Sequence, residues 1–161
     1  MFSHEYHDVN DEASDQYIVD TINIKKRFEG GADCYWVPVK PGQDARLTYK
    51  YTFDRPVVRA SLNARINTYN FGGGRTGVGS LWVSKDGRDW VKIIDAPTPQ
   101  KVDAPPFKAE GALPEEVIGG REIWVQARLR AEGWNIMVQF QRAHQNRDKD
   151  KSFYAFKAHF K

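Results

Sequence analysis

Apolar and polar residues alternate along most of this chain with the period of two that a half-buried strand requires. From Ala45 to Phe53, Leu47, Tyr49, Tyr51 and Phe53 share one face, and Arg46, Thr48, Lys50 and Thr52 share the other. A longer run, Val57 to Tyr69, sets Val58, Ala60, Leu62, Ala64 and Ile66 inward. It sets Arg59, Ser61, Asn63, Arg65, Asn67 and Tyr69 outward. Between Arg121 and Arg130, Ile123, Val125, Ala127 and Leu129 face a core, while Glu122, Trp124, Gln126 and Arg128 face away from it. Ile18, Val19, Ile22 and Ile24 predict a first strand within Tyr17 to Phe28, and Ile136 to Gln141 and Ser152 to Phe160 predict two last ones. Met1 to Gln16, polar and acidic, reads as a mobile leader or an edge segment before one domain over 17–161. Cys34 to Gln43 reads as a loop, because Pro38 and Pro41 disfavour a central strand. Asp95 to Pro114 reads as a long connection, and only Pro114 to Ile118 is briefly helical in pattern.

Leu81-Trp82-Val83-Ser84-Lys85-Asp86-Gly87-Arg88-Asp89-Trp90-Val91-Lys92-Ile93 predicts a β-hairpin. Alternation stops at Asp86-Gly87, where Asp can bond the turn backbone and Gly accepts positive φ, and then resumes at Val91 and Ile93. Trp90 is placed to fold over the end of a sheet. A strand followed by Ser-x-Asp-Gly-x-x-Trp resembles the hairpin of galactose-binding-like jelly rolls, many of which are carbohydrate-binding modules. Leu47 to Pro56 resembles that family's strand before a proline, and Leu113-Pro114 through Leu129 its later connection and strand, so the likeness extends over roughly Cys34 to Arg142. The Asp-box of sialidases, Ser-x-Asp-x-Gly-x-Thr-Trp, matches less well. Asp86 and Gly87 are adjacent here, and no repeat period accompanies them, which excludes a propeller.

Strands separated by turns without alternating helices predict an all-β fold, an antiparallel β-sandwich of the jelly-roll, galactose-binding-domain-like kind. A length of 161 residues suits a single domain with its own core. No apolar run is long enough to span a bilayer, and no signal-peptide pattern opens the chain. The single Cys34 excludes an internal disulfide and a cysteine-rich zinc site. A formal net charge of +3 argues against nucleic acid as a partner, so where the charges fall matters more than their sum.

The polar strip of the long strand carries the main functional suggestion. A sugar needs paired donors and acceptors for its hydroxyls and an aromatic ring for its apolar face. Asn63 and Asn67 supply both hydrogen-bonding roles, Arg59 and Arg65 add forks for carboxylate or sulfate, and Tyr69 can stack. Gln126 and Arg128 extend the strip if their strand lies in the same sheet, with Trp124 or Trp82 as a further platform. The alternative is a wetted sheet face with tryptophans packed for structure. Trp36 stands open between loop anchor and ligand platform. The Gly72 to Gly77 loop lacks the Gly-Lys-Ser/Thr ending and following helix of a phosphate loop. His4, His7, His144 and His159 form no catalytic spacing, and Tyr154-Ala155-Phe156-Lys157-Ala158 resembles an alginate-lyase segment only out of phase.

The family resemblance implies a structural calcium ion, for which Glu29 and Asp33 in a tight Gly-Gly turn offer oxygen ligands. It also implies an extracellular or periplasmic module beside a carbohydrate-active enzyme. The expected function is non-catalytic binding of a polysaccharide, with clustered arginines favouring an acidic one. The alternatives are a small jelly-roll lyase or glycosidase and a protein-interaction β-sandwich.

Overall fold

A computed structural model describes residues 1–6, 12–29, 33–71, 76–97, 105–133, 136–144 and 154–161. Its strands are β1 (Phe2–Tyr6), β2 (Ile18–Ile22), β3 (Ile24–Glu29), β4 (Asp33–Pro38), β5 (Ala45–Thr52), β6 (Val57–Asn70), β7 (Gly77–Ser84), β8 (Val91–Ala96), β9 (Phe107–Ala112), β10 (Glu122–Ala131), β11 (Ile136–His144) and β12 (Tyr154–Phe160). Helix is confined, among the described residues, to one turn over Glu12–Asp15 and a 3₁₀ turn over Glu115–Val117.

The fold is the antiparallel β-sandwich that the alternation predicts. One sheet runs β2-β5-β10-β7-β8; the other holds seven strands along β1-β12-β6-β11-β4-β3, with β9 also on β6. Registers resolve that second sheet further. Ile66 pairs with both Phe140 and Phe107, and Leu62 with both Phe156 and Gly111. Because a strand has two edges, β9 occupies one edge of β6 while β11 and β12 lie end to end along the other. From β4 to β12 the chain passes repeatedly between the two sheets, which sets the inward alternate residues of both against one another. Leu47, Tyr49, Tyr51, Ala60, Leu62, Ile66, Leu81, Val83, Val125, Ala127, Phe140 and Phe156 are buried in this core.

Where the structure departs from the sequence pattern, a local physical reason is visible. Within Met1 to Gln16, read as a mobile leader or an edge segment, residues 2–6 form the edge strand β1 on β12. His4 anchors it: the ring is buried, and Nδ1 lies 2.8 Å from the Tyr51 hydroxyl, which lies 2.8 Å from that of Tyr154. The stretch read as one first strand is two strands in different sheets, divided at Asn23, whose φ of 49° lets the chain turn between layers. Asn23 also ties down the next loop, accepting from the Lys40 N–H at 2.9 Å and donating to the Lys40 carbonyl at 3.1 Å. Cys34 to Pro38 pairs with β3 rather than forming a loop, with Pro38 tolerated at the strand end. The expected connection after Asp95 contains β9. In β6, Val58 points outward, because a register shift opposite His159 and Phe160 inserts one residue and puts Val57 inside instead.

Candidate functional site

Strands β6 and β10 belong to opposite sheets, so the strip proposed along Arg59 to Tyr69 cannot be continued by Trp124, Gln126 and Arg128. The two sets lie on opposite outer faces of the sandwich. On the β6 face, Arg59 is exposed and Asn63 and Arg65 are half-buried, but Asn67 and Tyr69 are buried. Asn67 Nδ2 donates to the Tyr69 hydroxyl at 2.9 Å, so these two side chains bond one another. Lys108 and Glu110, flanking Arg65 and Asn63 on β9, pair with one another at 3.4 Å. The accessible part of that strip is therefore short. Trp36 is a core residue, 6% exposed, and no platform.

The β10 face is built differently. Its rows are read from register: Lys50, Trp124 and Ser84; then Thr48, Gln126 and Trp82; then Arg46, Arg128 and Ser80. Gln126 is buried and binds across the first gap, donating Nε2–H to Thr48 Oγ1 at 2.9 Å. Its carbonyl oxygen accepts from Arg128 Nε at 2.6 Å. That bond aims the guanidinium between two indoles, 4.4 Å from the Trp82 ring centre and 5.5 Å from that of Trp90. Trp82 is held in turn by its Nε1–H, which donates to Ser80 Oγ at 2.8 Å, and carries Lys92 over its ring at 5.1 Å.

The β7–β8 hairpin positions Trp90. Its loop is longer than a two-residue turn and is organised by Ser84 and Asp86. Ser84 Oγ accepts from the Gly87 N–H at 2.9 Å, and Asp86 Oδ1 accepts from the Arg88 and Asp89 N–H groups at 2.8 and 3.0 Å. Those backbone donors, Asp89 first, hold the Asp86 carboxyl below its ordinary range. Gly87 has the expected positive φ, 74°, and lies directly against Trp124. Trp124 is thereby a support and not an open platform: Gly87 covers it from the β7 side, Lys50 sits 4.6 Å over the ring from the β5 side, and Nε1–H donates to Glu122 Oε2 at 3.0 Å.

Charge on this face is largely compensated. Arg46 pairs with Asp20 at 2.8 Å, Lys50 with Glu122 at 2.8 Å, Lys92 with Asp95 at 3.4 Å, and Arg130 with both Asp44 and Glu132. The Lys50 ammonium, more than any other group, pulls the Glu122 carboxyl down. Arg128 differs, having no carboxylate partner among the described residues. Burial first, and then the like charge of Arg46, lower its pKa. Beside it opens a groove of about 540 Å³, lined by Ile22, Arg46, Val78, Ser80, Arg128 and Arg130 among others. Two residues of this site are not assigned to it by the sequence: Arg46, whose one signal is an arginine on the outer face of a strand otherwise carrying Thr and Lys there, and Trp90, expected only to pack over a sheet end.

Glu29 and Asp33, suggested as calcium ligands, stand opposite one another in register at the ends of β3 and β4. Their side chains, and Gly30 to Ala32 between them, lie outside the described residues, as do residues 72–75 of the Gly-rich loop. Among the described residues no group of three or more His, Cys, Asp or Glu side chains is placed to hold a metal ion.

The chain matches no protein-family model and no curated protein. Among solved structures it is similar to a mutant of a carbohydrate binding module family 29, at 11% identity and a TM-score of 0.40, covering 77% of this chain and 81% of that one. The functional reading rests on the chemistry of the two outer faces.

Proposed function

We propose that this protein is a non-catalytic carbohydrate-binding module that holds an acidic polysaccharide on the outer face of its five-stranded sheet. The observation that carries the reading is Arg128, a half-buried guanidinium set between Trp82 and Trp90 at the wall of an open groove, with no carboxylate partner among the described residues. A guanidinium aimed by a buried Gln is pre-organised, so a ligand anion gains a fork without ordering a flexible side chain. The flanking indoles offer apolar faces to sugar rings. Lys92, exposed and held to Asp95 only at 3.4 Å, is free enough to yield its place over Trp82. The β6 face offers a shorter set, Arg59, Asn63 and Arg65, and stands second.

Attachment to a carbohydrate-active enzyme outside the cell, and a calcium ion held by Glu29 and Asp33, belong to the same reading. The second is checked by a shift in melting temperature on adding calcium and its reversal by a chelator. The function itself is tested on a glycan array, where binding to uronate-containing or sulfated chains is expected. An array blank for every glycan overturns it in favour of a protein-interaction sandwich. Reducing-sugar or unsaturated product released from a bound chain overturns it in favour of a lyase or glycosidase.

A further inference from the structure

Arg46 and Arg128 stand directly opposite one another on adjacent antiparallel strands. Like charges in that position oppose pairing, since cross-strand Cβ atoms are only about 4.5–5.5 Å apart. The surrounding residues relieve this only in part. Asp20 Oδ2 accepts from Arg46 Nε at 2.8 Å, and Gln126 Oε1 accepts from Arg128 Nε at 2.6 Å. Both contacts engage Nε, which fixes the two guanidinium planes and leaves the terminal Nη groups of each without a protein acceptor among the described residues. Both side chains line the same groove, with Ile22 and Val78 as its apolar walls. Asp20 pairs with Arg46 alone and Arg128 has no carboxylate among the described residues, so this end of the groove retains a single uncompensated positive charge. Its other end does not, because Arg130 is taken by Asp44 and Glu132.

Resting on the proposed polysaccharide reading, we infer that Arg46 and Arg128 form a clamp for one anionic group of the sugar chain, a carboxylate or a sulfate ester, bridged between their Nη groups. Two fixed planar forks meet such an oxyanion with parallel charge-assisted hydrogen bonds, a geometry that a lysine ammonium does not reproduce. Bringing an anion between the two arginines converts a repulsive pair into an attractive triad. The lowered pKa of Arg128, caused by burial and by Arg46, agrees with a site that is completed by a negative charge. Recognition is confined to one anionic group at this groove, while neighbouring sugar units lie over Trp82 and Trp90.

The test is calorimetric titration of the full chain with polygalacturonate, dextran sulfate and neutral dextran at fixed ionic strength. Binding of at least one charged polymer is expected, with dextran failing to bind; which charged polymer binds distinguishes carboxylate from sulfate. Arg46→Gln and Arg128→Gln should each weaken that binding tenfold or more. Arg46→Lys should weaken it comparably while keeping the charge and the Asp20 pairing, and Lys25→Gln, which removes an exposed cation on β3 of the other sheet, should leave it unchanged. Melting curves of each variant show that the fold is retained. Wild-type affinity in both Gln variants overturns the clamp, as does failure of both charged polymers to bind. If a neutral glycan from the array binds all variants equally, the clamp fails and polysaccharide binding stands; if no glycan binds at all, both fall.

Discussion

Replacing Gly87 by Ala separates two costs that the structure places at one residue. The first is conformational: at φ of 74° an L side chain sits in the left-handed region, costing about 1 kcal/mol. The second is packing. An added Cβ would stand 3.1 to 3.3 Å from Cε2, Cδ2 and Cζ2 of Trp124, so the indole must move. That ring is restrained by its bond to Glu122 and by Lys50, so displacing it adds roughly 1–3 kcal/mol, typical of an overpacked contact. The sum, about 2–4 kcal/mol, lowers the melting temperature by roughly 4–16 °C for a domain of this size. In a Trp124→Leu background the packing cost falls away and Gly87→Ala costs only about 1 kcal/mol. Urea unfolding followed by circular dichroism on all four proteins gives the coupling directly. Equal losses in both backgrounds would refute the contact with Trp124, and no loss in either would refute the turn.

Tyr51 and Tyr154 have hydroxyl pKa values raised well above the usual one, burial being the largest cause; a raised folded pKa means their contribution is complete below about pH 10 and is lost as pH rises above it, by about 1.4 kcal/mol per pH unit for each. Urea midpoints between about pH 9 and 11 should therefore fall less steeply in Tyr51→Phe than in the wild type, though that variant starts lower through the lost bond to His4. Asp86, whose folded pKa is depressed, contributes above the ordinary carboxylate pKa and loses that contribution as pH falls through the lower folded value; Asp86→Asn should melt lower than wild type at neutral pH, with the gap closing in strong acid. Gln126→Ala removes the bonds to Thr48 and Arg128, so it should weaken binding of the charged polymer as Arg128→Gln does, and a titration in which affinity is unchanged would show that Arg128 needs no such aim.

Alternation in the sequence told inward from outward residues over most strands because one face of each is buried in a common core. It could not tell which sheet a strand joins. Arg65 and Arg128 look equivalent in such a pattern, yet β6 and β10 face opposite directions, and only pairing between distant segments decides that. The phase error at Val58 has a similar origin, since the register shift that turns it outward lies against β12, about a hundred residues away in sequence. Strand β4 was hidden by Pro38, a residue admitted at a strand end, and β9 by the prolines of the connection that contains it. His4 gave no sign of its role either, because the tyrosines it meets come from β5 and β12.

The most direct test of the binding face uses the indole N–H signals of the tryptophans in a heteronuclear NMR titration with the polysaccharide selected on the array. Trp82 and Trp90, which flank Arg128, should shift progressively and saturably, while Trp36 in the core stays fixed. Shifts concentrated at the amides of Arg59 to Arg65, with Trp82 and Trp90 unmoved, would place the ligand on the opposite sheet and contradict the account.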